Sequence, residues 1–249
     1  MPNFSYHDIL LTQNMWESSA TQKAQLGTRG YTMDGRDYRY AKAGAVALVA
    51  GNVLQGPATV AGNLNLTGFT GGAAAGTLQI LVTCASAAAT NLYADGYICV
   101  GTAAGEGYTY SILSHAAVST GAVGTFNLYP DDPVQVATTA AGTYSLLANK
   151  YNGVIQMPVT TATGVLVGVA PYVIGVTQFG WIQTWGPCAV WIDATATAAL
   201  GELMISPGSS AGQASTVTAA NLLVGQMVGH MCQIGVDKRH GYIDLRISP

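Results

Sequence analysis

Short runs of alternating polarity, each closed by a turn residue, restrict the folds open to this chain more than any other feature. In Thr77-Leu78-Gln79-Ile80-Leu81-Val82-Thr83, Leu78, Ile80 and Val82 share one side of a two-residue period; Tyr108-Thr109-Tyr110-Ser111-Ile112 and Thr125-Phe126-Asn127-Leu128-Tyr129 repeat the pattern. Near the end, Ile243, Leu245 and Ile247 alternate with Tyr242, Asp244, Arg246 and Ser248. That period sends one set of side chains to a buried sheet face and the other to solvent. Asp34-Gly35 and Asp95-Gly96 mark tight turns. Strands recurring at about 8 to 12 residues predict an all-β fold, a sandwich or barrel. Helix is expected only as short pieces, at Val217 to Leu223 and after the weak capping pattern Ser5-x-x-Asp8.

Charge divides the chain. Charged residues make up 8% of it, against about a quarter in ordinary soluble domains. Lys23, Arg29, Arg36, Arg39 and Lys42 stand with Asp8, Glu17, Asp34 and Asp37 before residue 43, and Asp237, Lys238, Arg239, Asp244 and Arg246 stand at the other end; between Ala43 and Val236 the only basic residue is Lys150. A nucleic-acid groove needs a stripe of Lys and Arg along the fold, so nucleic acid is excluded as a partner. A net charge of -3 provides little mutual repulsion, and such a pale surface suits burial against other subunits.

No stretch approaches the roughly 18 to 20 apolar residues of a spanning helix, so no membrane partner is expected. Met1-Pro2-Asn3-Phe4-Ser5 lacks the basic-then-apolar pattern of a secretory signal, and the chain is expected to be made and kept in a cytosol. Cys84, Cys99, Cys188 and Cys232 lie far apart and read as buried small hydrophobes, not metal ligands.

The organisation follows from composition. Residues 1–44 read as an N-terminal arm with a first hairpin about Asp34-Gly35. Residues 45–70 and 150–249 read as a β base domain, and 71–149 as an inserted small β domain that opens on Gly71-Gly72-Ala73-Ala74-Ala75-Gly76. Ala50-Gly51-Asn52-Val53-Leu54-Gln55-Gly56-Pro57 reads as a turn feeding a strand that a proline closes, and Leu200-Gly201-Glu202-Leu203-Met204-Ile205-Ser206-Pro207 echoes it. One echo is not a repeat array.

Chemistry-bearing residues are few. Asp95, Glu106, His115, Asp131 and Asp132 are the titratable cluster of the middle block, with Ser114 beside the histidine. A hydrolase would use them as acid and base or as a triad, but no nucleophile elbow is present, and Pro130-Asp131-Asp132-Pro133 reads as a loop. Calcium could take adjacent loop carboxylates, yet the EF-hand pattern is missing. Gly101-x-x-x-Gly105-Glu106-Gly107 lacks the Lys-Ser/Thr of a phosphate loop. No catalytic residue, metal, cofactor or small-molecule substrate is therefore expected.

Trp181, Trp185 and Trp191 could stack sugar rings, as in a glycan- or receptor-binding module; packing in the core or between subunits is the commoner use. Trp181 and Trp185 share a parity with Gln183 and are expected on one strand face. Trp16, Arg29, Arg36, Tyr38, Arg39 and Tyr40 combine aromatic anchors with arginine forks, the residue types enriched at the energetic centres of interfaces.

Several of these stretches resemble tailed-bacteriophage capsid decoration proteins, also called cement or head-stabilising proteins. They are Leu26-Gly27-Thr28-Arg29-Gly30, Tyr38-Arg39-Tyr40-Ala41-Lys42-Ala43-Gly44, Ala50 to Ala58, Gly180-Trp181-Ile182-Gln183-Thr184-Trp185-Gly186-Pro187-Cys188 and Gly235-Val236-Asp237. The resemblance implies a non-enzymatic β protein, commonly a homotrimer, that binds the major capsid protein on the outer surface of an expanded head. Terminal arms would clamp neighbouring capsid subunits. On this basis Trp16, Arg29, Arg36, Tyr38, Arg39 and Tyr40 are the expected capsid-binding residues, and Trp181, Trp185 and Trp191 the expected subunit-packing residues.

Overall fold

A computed structural model describes residues 13–159, 161–193, 198–219, 221 and 225–248. The chain is all-β and divides into two compact units, residues 1–58 with 150–249, and residues 59–149. In chain order the strands are β1 (Arg29–Tyr31), β2 (Asp37–Ala43), β3 (Val53–Gln55), β4 (Leu66–Thr67), β5 (Gln79–Thr83), β6 (Tyr97–Val100), β7 (Thr109–His115) and β8 (Val123–Leu128). They continue as β9 (Thr143–Leu147), β10 (Asn152–Gln156), β11 (Leu166–Val169), β12 (Phe179–Asp193), β13 (Leu203–Ser206), β14 (Ala214–Thr216), β15 (Gln226–Met231) and β16 (His240–Arg246). Among the described residues the one helical piece is a 3₁₀ turn at Ala61–Asn63. Val217, Thr218, Ala219 and Asn221 are not helical; the rest of that expected helix, like the Ser5 capping pattern, lies outside the described residues.

The discontinuous unit is organised by the 15-residue strand β12. Its first half pairs with β2 and β11, and pairings through β10 and β3 close a five-stranded ring. Its second half pairs with β16 and β14, and pairings through β13 and β15 close another. Full closure removes unpaired strand edges. One core holds Tyr38, Tyr40, Leu48, Leu54, Trp181 and Ile182. Another holds Val190, Ile192, Met204, Val228, Ile243 and Leu245.

The unit 59–149 is a curled six-stranded sheet in the order β4-β9-β6-β7-β8-β5. A bridge between Phe69 and Val82 brings its two edges together. Residues 59–70, expected in the base domain, belong here because β4 pairs with β9 and Phe69 sits in this core.

One turn recurs eight times among the described residues. Isolated bridges join Leu48 to Ile174 and Ala198 to Gly235 in one unit, and Ala73 to Thr138 and Ala88 to Val118 in the other. Three residues past the bridge, seven of the eight copies place a residue at positive φ: Gly51, Gly76, Asn91, Gly121, Thr177, Gly201 and Lys238. At Gly51 and Gly201, φ is 79° in both, a value that favours glycine in a type II turn. The echo between Ala50–Pro57 and Leu200–Pro207 is thus two copies of this turn, feeding β3 and β13.

The first hairpin forms at Asp34-Gly35, with Arg29 opposite Arg39 and Tyr31 opposite Asp37. It is not part of a free arm. Met15 and Leu26 are buried in the first core, Ser19 bridges Phe179, and Gln13 donates from Nε2 to the Phe179 carbonyl at 2.9 Å. Residues 13–44 are therefore folded into the unit, because their apolar side chains complete its core. Cys84 and Cys188 are buried as expected, but Cys99 is half-buried and Cys232 exposed.

Candidate binding surface

β12 changes face midway. From Gln183 to Trp185 it advances two residues while β2 advances one, from Tyr38 to Asp37. That bulge inverts the two-residue parity. Trp181, Ile182 and Gln183 are buried before it; Trp185, Pro187, Ala189 and Trp191 turn outward after it. The shared face expected for Trp181 and Trp185 is thus overturned. Gly186 follows at φ 79°, and a Cβ there would lie 2.8 Å from the Gly35 carbonyl oxygen. Gln183 Nε2 holds the bulge by donating to the carbonyls of Trp185 at 3.0 Å and Pro187 at 2.9 Å.

The bulge brings the two charged ends of the chain together. Trp185 registers with Asp37 on one side and with Arg246 on the other. The Arg246 guanidinium carbon lies 4.4 Å from the Trp185 ring centroid, a cation–π contact, and its Nη2 is 2.6 Å from Asp244. Asp37, nearly buried, pairs with Arg29 at 3.0 Å. Arg36 pairs with Asp34 at 2.8 Å and stands 6.0 Å from the Tyr38 ring centroid. Hydrogen bonds from Thr32 and Arg36, with the Arg36 charge, hold the Asp34 carboxyl below its usual value against the opposing effect of burial, which is the largest single influence.

The face continues along the pair of strands. Pro187, Ala189 and Trp191 stand opposite Asp244, Tyr242 and His240, with Trp191 and His240 edge to face at 5.1 Å. Tyr242, Asp244, Arg246 and His240 were not singled out from the sequence as site residues. The alternation of the last strand did place Tyr242, Asp244 and Arg246 outward; what was missing was their pairing with β12.

Other expected site residues are elsewhere. Tyr38, Tyr40 and Trp181 are core residues of the same chain and offer no side-chain surface to a partner. Tyr40 receives a hydrogen bond from the Lys23 N–H at 3.0 Å, donates to Gln13 Oε1 at 2.5 Å, and packs 5.1 Å from Trp181. Burial raises the Tyr38 and Tyr40 hydroxyls above their ordinary value. Arg39 is half-buried and donates to the Gly27 carbonyl at 3.2 Å. Trp16 is exposed and sits edge-on to Tyr172 at 6.1 Å.

In the other unit His115, Asp132 and Asp95 bond within the fold, while Glu106 and Asp131 are exposed. The His115 Nε2 accepts from the Tyr93 N–H at 3.0 Å, so Nδ1 carries the proton it donates to the Ala116 carbonyl at 2.7 Å. This fixes a neutral imidazole, consistent with burial pulling its pKa down. Asp132 accepts from the Ser111 N–H at 2.6 Å, and Asp95 from the Tyr129 hydroxyl. Among the described residues no group of three or more His, Cys, Asp and Glu side chains is placed to hold a metal ion. Comparison with protein-family models, with curated proteins and with solved structures finds no match for this chain.

Proposed function

We propose that this protein is a structural, non-enzymatic component of a tailed-phage virion that binds the major capsid protein on the outer surface of the head and stabilises it. It would be made in the host cytoplasm and act as a homotrimer. The observation that carries the reading is the convergence of both charged ends on Trp185. In an otherwise pale chain an outward tryptophan packs against Arg246 and stands in register with Asp37, the partner of Arg29, residue types found at interface centres. The resemblance adds support: all five stretches that carry it belong to the same unit. Because residues 13–44 are folded into that unit, the grip is assigned to the face around Trp185, Arg246 and Arg29. Several such contacts per trimer would multiply one another.

Co-sedimentation with expanded heads tests this. The variant Trp185→Ala with Arg246→Ala is expected to bind at least about tenfold more weakly, the loss of roughly 1.4 kcal/mol or more per contact. Undiminished binding by the folded double variant would overturn the assignment. Quenching of tryptophan fluorescence by a saccharide panel, with no head binding by the unmodified protein, would favour a glycan- or receptor-binding module instead.

A further inference from the structure

The recurring turn gives an internal control for what its outward positions require. Around the Leu48–Ile174 bridge those positions carry Val46, Val49, Val173 and Val176, exposed to 61%, 46%, 59% and 51%. Counting out from the bridge, Val49 stands opposite Val173 and Val46 opposite Val176. In the unit 59–149 the same turn carries Ala89 and Thr90, Ser119 and Thr120, and Thr139 and Ala140, with Val136 the one large side chain among the outward positions there. The turn therefore forms without valine; the Ala198–Gly235 pair of the first unit also exposes apolar side chains, Leu200, Ile234 and Val236, but with Glu202, Asp237 and Lys238 close to them in sequence. Four valines held in water on one turn pair contribute little to this fold, and large apolar clusters on a surface mark contact sites.

We infer that this valine tip is a self-association surface whose occupant is a second copy of the chain. The charge pattern selects that occupant. Residues 43–58 and 151–192, the stretches that build the tip, contain no charged residue. A charged partner would lose hydration there without finding a counter-charge. Two residues of opposite charge, Glu17 and Lys42, belong to segments that adjoin the tip. Glu17 lies beside Tyr172, whose hydroxyl donates to the Glu17 carbonyl at 2.8 Å. Lys42 lies over Phe179, its Nζ 5.4 Å from the ring centroid. A copy related by rotation offers the same uncharged valines at the centre and opposite charges at the rim, a self-complementary arrangement. This inference stands apart from head binding, which uses the Trp185 face.

Sedimentation velocity on the purified full chain tests it. The unmodified protein is expected to sediment as an oligomer, and Val46→Asp with Val173→Asp as a monomer with the same far-ultraviolet circular dichroism. Ala89→Asp with Ser119→Asp, at exposed positions of the same turn in the other unit, is expected to remain oligomeric. If the aspartate variant of the tip loses structure, Val46→Ser with Val173→Ser decides, with association expected to weaken by at least about tenfold on losing two apolar contacts. A monomeric unmodified protein, or a folded tip variant that keeps the unmodified sedimentation coefficient, overturns the inference. Loss of head co-sedimentation with unchanged oligomer size would also overturn it and make the capsid the occupant. A monomeric variant that still sediments with heads supports it and separates the two surfaces.

Discussion

His115 shows how one buried side chain makes stability depend on pH. Its two ring nitrogens are occupied by one donor and one acceptor, the Tyr93 N–H and the Ala116 carbonyl. Desolvation lowers its pKa from the ordinary 6.5, and the weaker effect of the Ala116 hydrogen bond opposes this. An unfolded chain takes up a proton at this ring near pH 6.5, while the folded one resists until the pH is lower. In that window the unfolded state binds more protons, so stability present above about pH 6.5 is lost as the pH falls. His115→Gln, which keeps an acceptor for Tyr93 but does not titrate, should lose less stability between neutral and mildly acidic pH. Urea unfolding followed by near-ultraviolet circular dichroism at both pH values measures the difference. Equal losses in the two proteins would remove His115 as a source of the dependence.

At the scale of elements, β12 couples two rings through one bulge, and Gln183 is the side chain that holds it. Its Nε2 bonds the Trp185 and Pro187 carbonyls inside the protein. Gln183→Leu nearly preserves volume but leaves buried acceptors without that donor, at a cost of about 2 to 4 kcal/mol. A matching fall in the denaturation midpoint is expected, read by tryptophan fluorescence, since Trp181 and Trp185 flank the bulge. An unchanged midpoint would mean that other donors satisfy these carbonyls. The same bulge marks where sequence reasoning stopped. Parity located β16 and its outward Tyr242, Asp244 and Arg246, and it placed Ile80 and Val82 inward on β5, because these strands run without interruption; Leu78, expected on the same face, precedes β5 and is exposed. It failed between Trp181 and Trp185, where a single inserted residue exchanges inside for outside. The arginines and Trp185 were visible in the sequence, but their meeting depends on which strands pair, a long-range property that no local pattern encodes. The turn echo was visible only where glycine marked both copies. At Thr177 and Lys238 the positive φ is carried by residues that do not advertise it.

The whole molecule is built so that one unit interrupts the other at a single point. The cores of the discontinuous unit contain no described residue between 59 and 149, and the core of the inserted unit contains only such residues. The two ends of the interruption lie close together: a Cβ on Gly56 would be 2.7 Å from the Lys150 carbonyl oxygen. A short linker can therefore replace residues 59–149 without straining the frame, and the loop-closure term changes only slowly with loop length. The excised protein is expected to fold, with an unfolding free energy within about 1 kcal/mol of the corresponding transition in the full chain. Trp16, Trp181, Trp185 and Trp191 all remain, so tryptophan emission and its denaturation midpoint report on the retained unit alone. Since the Trp185 face is also retained, the excised protein should still sediment with expanded heads. If it fails to fold, the inserted unit stabilises the frame beyond what the separate cores indicate. If it folds but no longer binds, the grip lies within residues 59–149 and the convergence of charged ends on Trp185 serves the fold, not the partner.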